Sequence, residues 1–212
     1  MIVIAIILGY LIGAIPIGYI FGKIKGIDVR EVGFKRIGAS NIHRTFGFLP
    51  AVCVFFGDFM KPILALLLGR AITGSELVAG VAGIFAIIGH NWPIYLKFKG
   101  EGRGLASSLG LLYFLIPIET MISFSFLLCL GIALKMRSTA FSTFILFCII
   151  PWITFLFNEP IWLFWLCLGI SLLALIARVL GGIKEIKISE DKGRMFFNLL
   201  LFDSPERQGF RR

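Results

Sequence analysis

The chain has 212 residues, 58% of them hydrophobic and only 16% charged, which is far more apolar side chain than a soluble domain of this size can bury. That balance excludes an ordinary water-soluble enzyme and leaves a polytopic membrane protein. A formal net charge of +9 would suggest nucleic acid in a soluble chain. Here the basic residues stand in short connections between apolar runs, so the expected partners are a lipid bilayer and phosphorylated substrates, not nucleic acid.

The predicted fold is all-α. In chain order the apolar runs give seven segments near spanning length: 1–21, 48–69, 76–96, 104–117, 120–134, 139–157 and 160–180. The fourth and fifth are short enough that five or six spans also fit. The first run has no basic residue before it, and Lys23 and Lys25 follow it, as in a retained helix whose amino end lies outside. With seven spans, every Lys and Arg except Lys61 and Arg70 falls in the connections and tail on one side. That side is expected to be the cytoplasm, with the carboxyl end in it and a multi-pass location in the cell (inner) membrane. Residues 1–182 read as one transmembrane domain and 183–212 as a basic cytoplasmic tail. The tail's run from Met195 to Phe202 is too short to span and reads as a helix lying on the surface. Cys53, Cys129, Cys148 and Cys167 all sit inside apolar runs without CxxC spacing, so they read as small buried hydrophobes. Neither a disulfide framework nor a metal site is expected.

Two polar stretches interrupt the apolar runs. The first, GFKRIGASNIHRTFG from Gly33 to Gly47, concentrates Lys35, Arg36 and Arg44 around glycines, Ser40 and Asn41. Glycines let successive amides turn inward, Ser40 and Asn41 add neutral donors, and arginines present planar forks that match phosphate oxygens. The second, GHNWPIYLKFKGEGRGLASSLG from Gly89 to Gly110, carries GEGRG between Lys99 and Ser107. Gly104 opens the fourth run, so its amides and the positive end of that helix would also face an anion.

Competing chemistries lack their residues. Gly33 and Gly38 have P-loop spacing, but Ala39 stands where the lysine belongs. Neither His43 nor His90 is followed at the fifth position by aspartate, since Phe48 and Tyr95 stand there. This removes the His-x4-Asp arrangement of the large group of glycerolipid acyltransferases. No GxSxG elbow or metal cluster is present in the sequence. Asp58 and Lys61, three residues apart in the second run, share a helix face and read as a structural ion pair. His90, beside Asn91, fits equally a histidine bonded between helices and a member of the site.

The blocks AIPIGYIFGKIKGIDVREVG, IGASNIHRTFG, FFGDFMKPILA, and GHNWPIYLKFKG with GRGLAS occur in that order. Together they resemble the PlsY family of integral-membrane acyltransferases over roughly residues 6 to 185. The resemblance implies a seven-span helical fold with a cytoplasm-facing site. It also implies transfer of a fatty acyl group from acyl phosphate to glycerol 3-phosphate, giving lysophosphatidic acid as the first step of phospholipid synthesis. No cofactor is implied, and a soluble enzyme that makes acyl phosphate becomes a candidate partner. Gly33, Gly38, Ala39, Asn41 and Arg44 match the family's first motif, with Ser40 for threonine. Lys99, Gly102, Arg103, Gly104, Ala106 and Ser107 resemble the second, with Arg103 for lysine. Ser142 and Arg178 match later positions. The Ser-Gly-Asn after Gly33 reads Phe34, Lys35, Arg36 here, and the His-Arg-Glu-Asn run of the last span reads Leu172 to Leu175.

The expected site therefore has His90, Ser40 and Asn41 as catalytic residues, with a substrate phosphate oxygen as the other candidate base. Arg36, Gly38, Arg44, Lys99, Gly102, Arg103, Gly104 and Ser107 are expected to bind phosphate. A lipid-phosphate binding or transport protein on the same scaffold is the alternative reading of these residues.

Overall fold

The computed structural model describes residues 1–99, 102–133 and 140–202, and every regular element among them is helical. The helices are α1 (Ile2–Ala14), α2 (Ile17–Ile24), α3 (Ala39–Phe46), α4 (Phe48–Thr73), α5 (Glu76–Asn91), α6 (Leu105–Leu115), α7 (Pro117–Ala133), α8 (Ala140–Leu156), α9 (Ile161–Leu180), α10 (Ile183–Ile188) and α11 (Lys192–Phe202), with a 3-10 turn at Ile94–Leu96. Among the described residues, four stretches are long and apolar enough to cross a membrane: Ile2–Ile24, Phe48–Thr73, Glu76–Leu96 and Ile161–Leu180. The expected fourth to sixth segments form shorter helices. At 1.5 Å per residue, the 11-residue α6 reaches about half of a hydrocarbon core of about 30 Å.

Two departures from the predicted segments have a backbone cause. The first run is not one helix, because Pro16 lacks an amide proton and forces the preceding Ile15 into an extended conformation (ψ 112°), which separates α1 from α2. The third run likewise stops at Asn91, just before Pro93, and continues only as the 3-10 turn.

The chain divides into two compact units, 1–115 and 116–212. In the first, α1 packs on α4 and α5, and α4 packs on α5 and α6. These seams are made of small residues. Gly9 and Gly13 of α1 lie directly on the backbone of Ala82 and Ala86, Gly89 of α5 lies on Tyr10 to Ala14, and Gly110 of α6 lies on Phe59, so that a Cβ at any of them would overlap main chain. Without water to drive association, such close backbone approach supplies the dispersion contacts that hold apolar helices together.

In the second unit α8 packs on α7 and α9, and α11 packs on α8 and α9. The tail run is thus part of this unit's packing. Leu199 is buried against Gly182, and the buried Arg178 guanidinium donates to the Leu200 carbonyl (3.1 Å) and to Thr143 Oγ1 (2.6 Å). The cysteines also depart from expectation. Only Cys167 is buried, and Cys53, Cys129 and Cys148 are exposed on the outer faces of their helices, where a membrane protein meets lipid rather than water.

Candidate functional site

The first polar connection folds around one side chain. Asn41, on α3, is completely buried. Its Oδ1 accepts from the Phe34 amide (2.6 Å), and its Nδ2 donates to the carbonyls of Val29 (2.7 Å) and Arg36 (2.7 Å). Its own carbonyl accepts from Thr45 Oγ1 (2.9 Å). One amide thus replaces the ladder that an irregular segment lacks. Gly33 is required here, since its φ is +60° and a Cβ would collide with Asn41 Oδ1. Beneath the loop, Val29, Ile37 and Ile42 pack with Ala51, Val54 and Leu96. Because Leu96 belongs to the turn after α5, this small core ties the first polar connection to the start of the second.

The opposite face of α3 is open. Ser40 and Arg44 lie four residues apart, both exposed, and the Arg44 guanidinium stands 4.8 Å from the centroid of the Phe34 ring. Gly38, at the start of α3, has nothing within 4 Å of where a Cβ would project. Further back, Asp28 accepts from Arg30 through both carboxylate oxygens (3.0 and 2.7 Å) and lies 3.5 Å from Lys23 Nζ. The Arg30 hydrogen bonds hold the Asp28 carboxyl well below the usual carboxylate range.

A second cluster lies inside the bundle. Asp58 and Lys61 of α4 and His90 of α5 are all nearly fully buried. Lys61 Nζ donates to Asp58 Oδ1 (2.7 Å), and His90 Nδ1 stands 3.3 Å from the same oxygen without the alignment of a hydrogen bond. Pro62 is the fourth residue after Asp58 and has no amide proton, so the Asp58 carbonyl has no helical donor. Ser107 of α6 supplies one through its hydroxyl (2.9 Å).

The second polar connection rests on this cluster. A Cβ at Gly102 would lie 2.9 Å from His90 Cδ2 and 3.0 Å from His90 Nε2. One at Gly104 (φ +67°) would lie 2.9 Å from Asn91 Oδ1. Lys99 is exposed and Arg103 half-buried.

The structure thus sorts the predicted residues into three kinds. Ser40, Arg44, Gly38 and Lys99 present open surface. Gly102 packs on His90 and Gly104 on Asn91, and Arg103 joins the two glycines. Asn41 and Ser107 are buried, and their side chains hydrogen-bond to the protein's own backbone. Arg36 is half-buried and gives its carbonyl to Asn41. Of the later positions, Ser142 is buried and Arg178 ties α9 to α8 and α11. Leu172 is 52% exposed, whereas Ser171, Ala174 and Arg178 form the buried face of α9, so the leucine does not occupy a polar pocket. Sequence reasoning missed the link between the Asp58–Lys61 pair and His90. Its available signal was three charged or titratable residues in apolar runs, each of which needs a partner there.

Residues 3–187 match the family described as glycerol-3-phosphate acyltransferase. Among relatives, glycerol-3-phosphate acyltransferase 5 of Dehalococcoides mccartyi is 32% identical over 95% of this chain and 88% of its own length. Glycerol-3-phosphate acyltransferase 2 of Moorella thermoacetica is 36% identical over 74% of this chain and 79% of its own. Among solved structures, PlsY, an integral membrane glycerol 3-phosphate acyltransferase, superposes in its glycerol 3-phosphate form with a TM-score of 0.75 and 29% identity. That match covers 88% of this chain and 92% of that one. Its lysophosphatidic acid form gives 0.74 and 27% over the same shares.

Proposed function

We propose, from the premise that this chain belongs to the glycerol-3-phosphate acyltransferase family, that it transfers a fatty acyl group from acyl phosphate to glycerol 3-phosphate. The sn-1 hydroxyl oxygen attacks the acyl carbonyl carbon, the bond from that carbon to the phosphate oxygen breaks, and inorganic phosphate leaves with the electron pair. The hydroxyl proton passes to His90 Nε2 or to a phosphate oxygen. The donor is already activated, so the protein's work is to orient two anions and neutralise their charge.

The observation that carries the assignment is the shared core of Val29, Ile37, Ile42 and Leu96, which sets two glycine-containing basic connections side by side. Arg44, Ser40 and Gly38 act from the open face of α3, with Arg36 beside them. Lys99, Arg103 and the Gly102 and Gly104 amides act from the second connection. Asn41 and Ser107 contribute by bracing the two connections. The His90 ring turns Nδ1 towards the Asp58 carboxylate and Nε2 towards Gly102.

The test is lysophosphatidic acid formation by purified protein from glycerol 3-phosphate with each of two donors. Short connections and one tail give little surface to hold the nucleotide part of coenzyme A, so acyl phosphate is expected to be strongly preferred. Equal turnover of acyl-coenzyme A removes the donor assignment, and no product with either donor removes the reaction. A soluble enzyme that makes acyl phosphate is the natural partner.

We place the protein in the cell membrane with seven crossings. The amino end is outside, the membrane domain runs over 1–182, and the site and the basic tail over 183–212 face the cytoplasm. The distribution of Lys and Arg supports this. Single cysteines at Ser75 and Ser189, in a background with the four native cysteines replaced by alanine, are expected to differ. The first reacts with an impermeant thiol reagent in intact cells and the second does not. The same labelling at both sites overturns the orientation.

A further inference from the structure

The geometry points to Asp58 as a positioning residue that carries the 102–104 connection from inside the bundle through His90 and Ser107. The inference rests on reading that connection as part of the phosphate site. Burying a carboxylate and an ammonium in an apolar bundle costs more than their mutual attraction returns unless further polar contacts are made, and an apolar pair of similar volume is commonly as stable or more so. Retaining the charges therefore calls for something they hold.

Asp58 has contacts in both directions. Its side chain meets His90 Nδ1 at 3.3 Å while Lys61 at 2.7 Å balances its charge, and its backbone carbonyl, left without a helical donor by Pro62, takes the Ser107 hydroxyl at 2.9 Å. His90 and Ser107 flank the connection on its two sides. Gly102 packs on the His90 ring, and Ser107 lies in the first turn of α6, which begins at Leu105. A single residue of α4 thus sets both ends of the segment whose amides and cations would meet phosphate. Lys61 supplies the counter-charge to Asp58 and so acts through it.

The test compares wild type with Asp58→Leu and with the double variant Asp58→Leu, Lys61→Met. The single variant leaves the Lys61 ammonium buried without a counter-charge and is expected to fold poorly. The double removes both charges and is expected to fold as wild type does in a thermal unfolding series in detergent. Two readouts are taken on the double.

Amide hydrogen exchange at residues 102–104 is expected to speed up by about tenfold while the α1 and α5 amides are unchanged, because the connection has lost its support through His90, while the backbone carbonyl at position 58 still takes the Ser107 hydroxyl. The KM for at least one of the two phosphorylated substrates is expected to rise about tenfold, as for loss of about one charge-assisted contact, with kcat within about threefold. A merely structural role would lower kcat with the folded fraction and leave KM alone. Unchanged exchange at 102–104, or a wild-type KM in the folded double variant, overturns the inference. If wild type itself makes no lysophosphatidic acid, the acyltransferase reading fails separately, and the exchange measurement alone decides whether Asp58 anchors the connection.

Discussion

Replacing Arg44 by alanine is expected to lower kcat/KM for glycerol 3-phosphate by about 30- to 100-fold, the loss of about 2–3 kcal/mol that accompanies removal of a charge-assisted contact to phosphate. Arg70→Ala is expected to change it by less than about twofold, because an exposed ion pair contributes little. The two arginines make a fair comparison. Each stands in the last turn of its helix, and Arg70 pairs with Glu76 at 2.6 Å with both side chains well exposed. They lie near opposite ends of α4, which at 1.5 Å per residue runs about 39 Å. Arg44 is held above the Phe34 ring on the same face of α3 as Ser40, so its guanidinium is partly oriented before any ligand arrives. Steady-state kinetics with varied glycerol 3-phosphate decide the matter, and equal values for the two variants remove α3 from the site.

Asn41→Ala is expected to abolish most activity by a different route, without touching a substrate. The substitution strips partners from the Phe34 amide and from the Val29 and Arg36 carbonyls at once. A buried backbone group left unsatisfied costs about 1–3 kcal/mol and a part-buried one less, so, with the Val29 bond buried and the other two part-buried, a local loss of about 2–4 kcal/mol is expected. The first connection then opens while the helical bundle persists. The signature is protease cleavage between residues 25 and 38 in a protein whose helix content and α1–α5 packing are retained. Asn41→Asp keeps the acceptor for Phe34 but neither donor, and should fall between alanine and wild type. Uncleaved, fully active Asn41→Ala protein contradicts the bracing role.

The membrane class, the all-helical fold and the two polar connections were legible from composition and from the contrast between glycine-containing basic stretches and long apolar runs. The breaks at Pro16 and Pro93 could have been read more firmly, since each proline deprives the helix of a donor and biases the residue before it. Asn41 was legible as a member of the loop but not as its brace, because nothing local in a sequence says which carbonyls an amide will reach. Likewise the i, i+3 spacing gave the Asp58–Lys61 pair, but its contact with His90 depends on how α4 and α5 are rotated about their axes. Ser107 shows the same limit: a serine beside a glycine-rich stretch reads as a ligand donor, and its bond to the carbonyl freed by Pro62 depends on how α6 packs on α4. The resemblance sets Leu172 where the family's histidine-containing run begins, and the rotation of α9, which a sequence does not give, leaves this leucine 52% exposed.

The glycine seam between α1 and α5 bears on where a fatty tail can go. At Gly9 and Gly13 the two main chains touch through Ala82 and Ala86 with no side chain between them. A hydrocarbon chain needs a channel about as wide as its own van der Waals thickness, roughly 4 Å between carbon centres on either side. No such gap exists there. Lateral passage of a substrate tail between these helices would require prising apart two backbones, so the tail must travel along another edge of the protein, and enlarging Gly9 or Gly13 would separate the helices without creating a usable acyl slot.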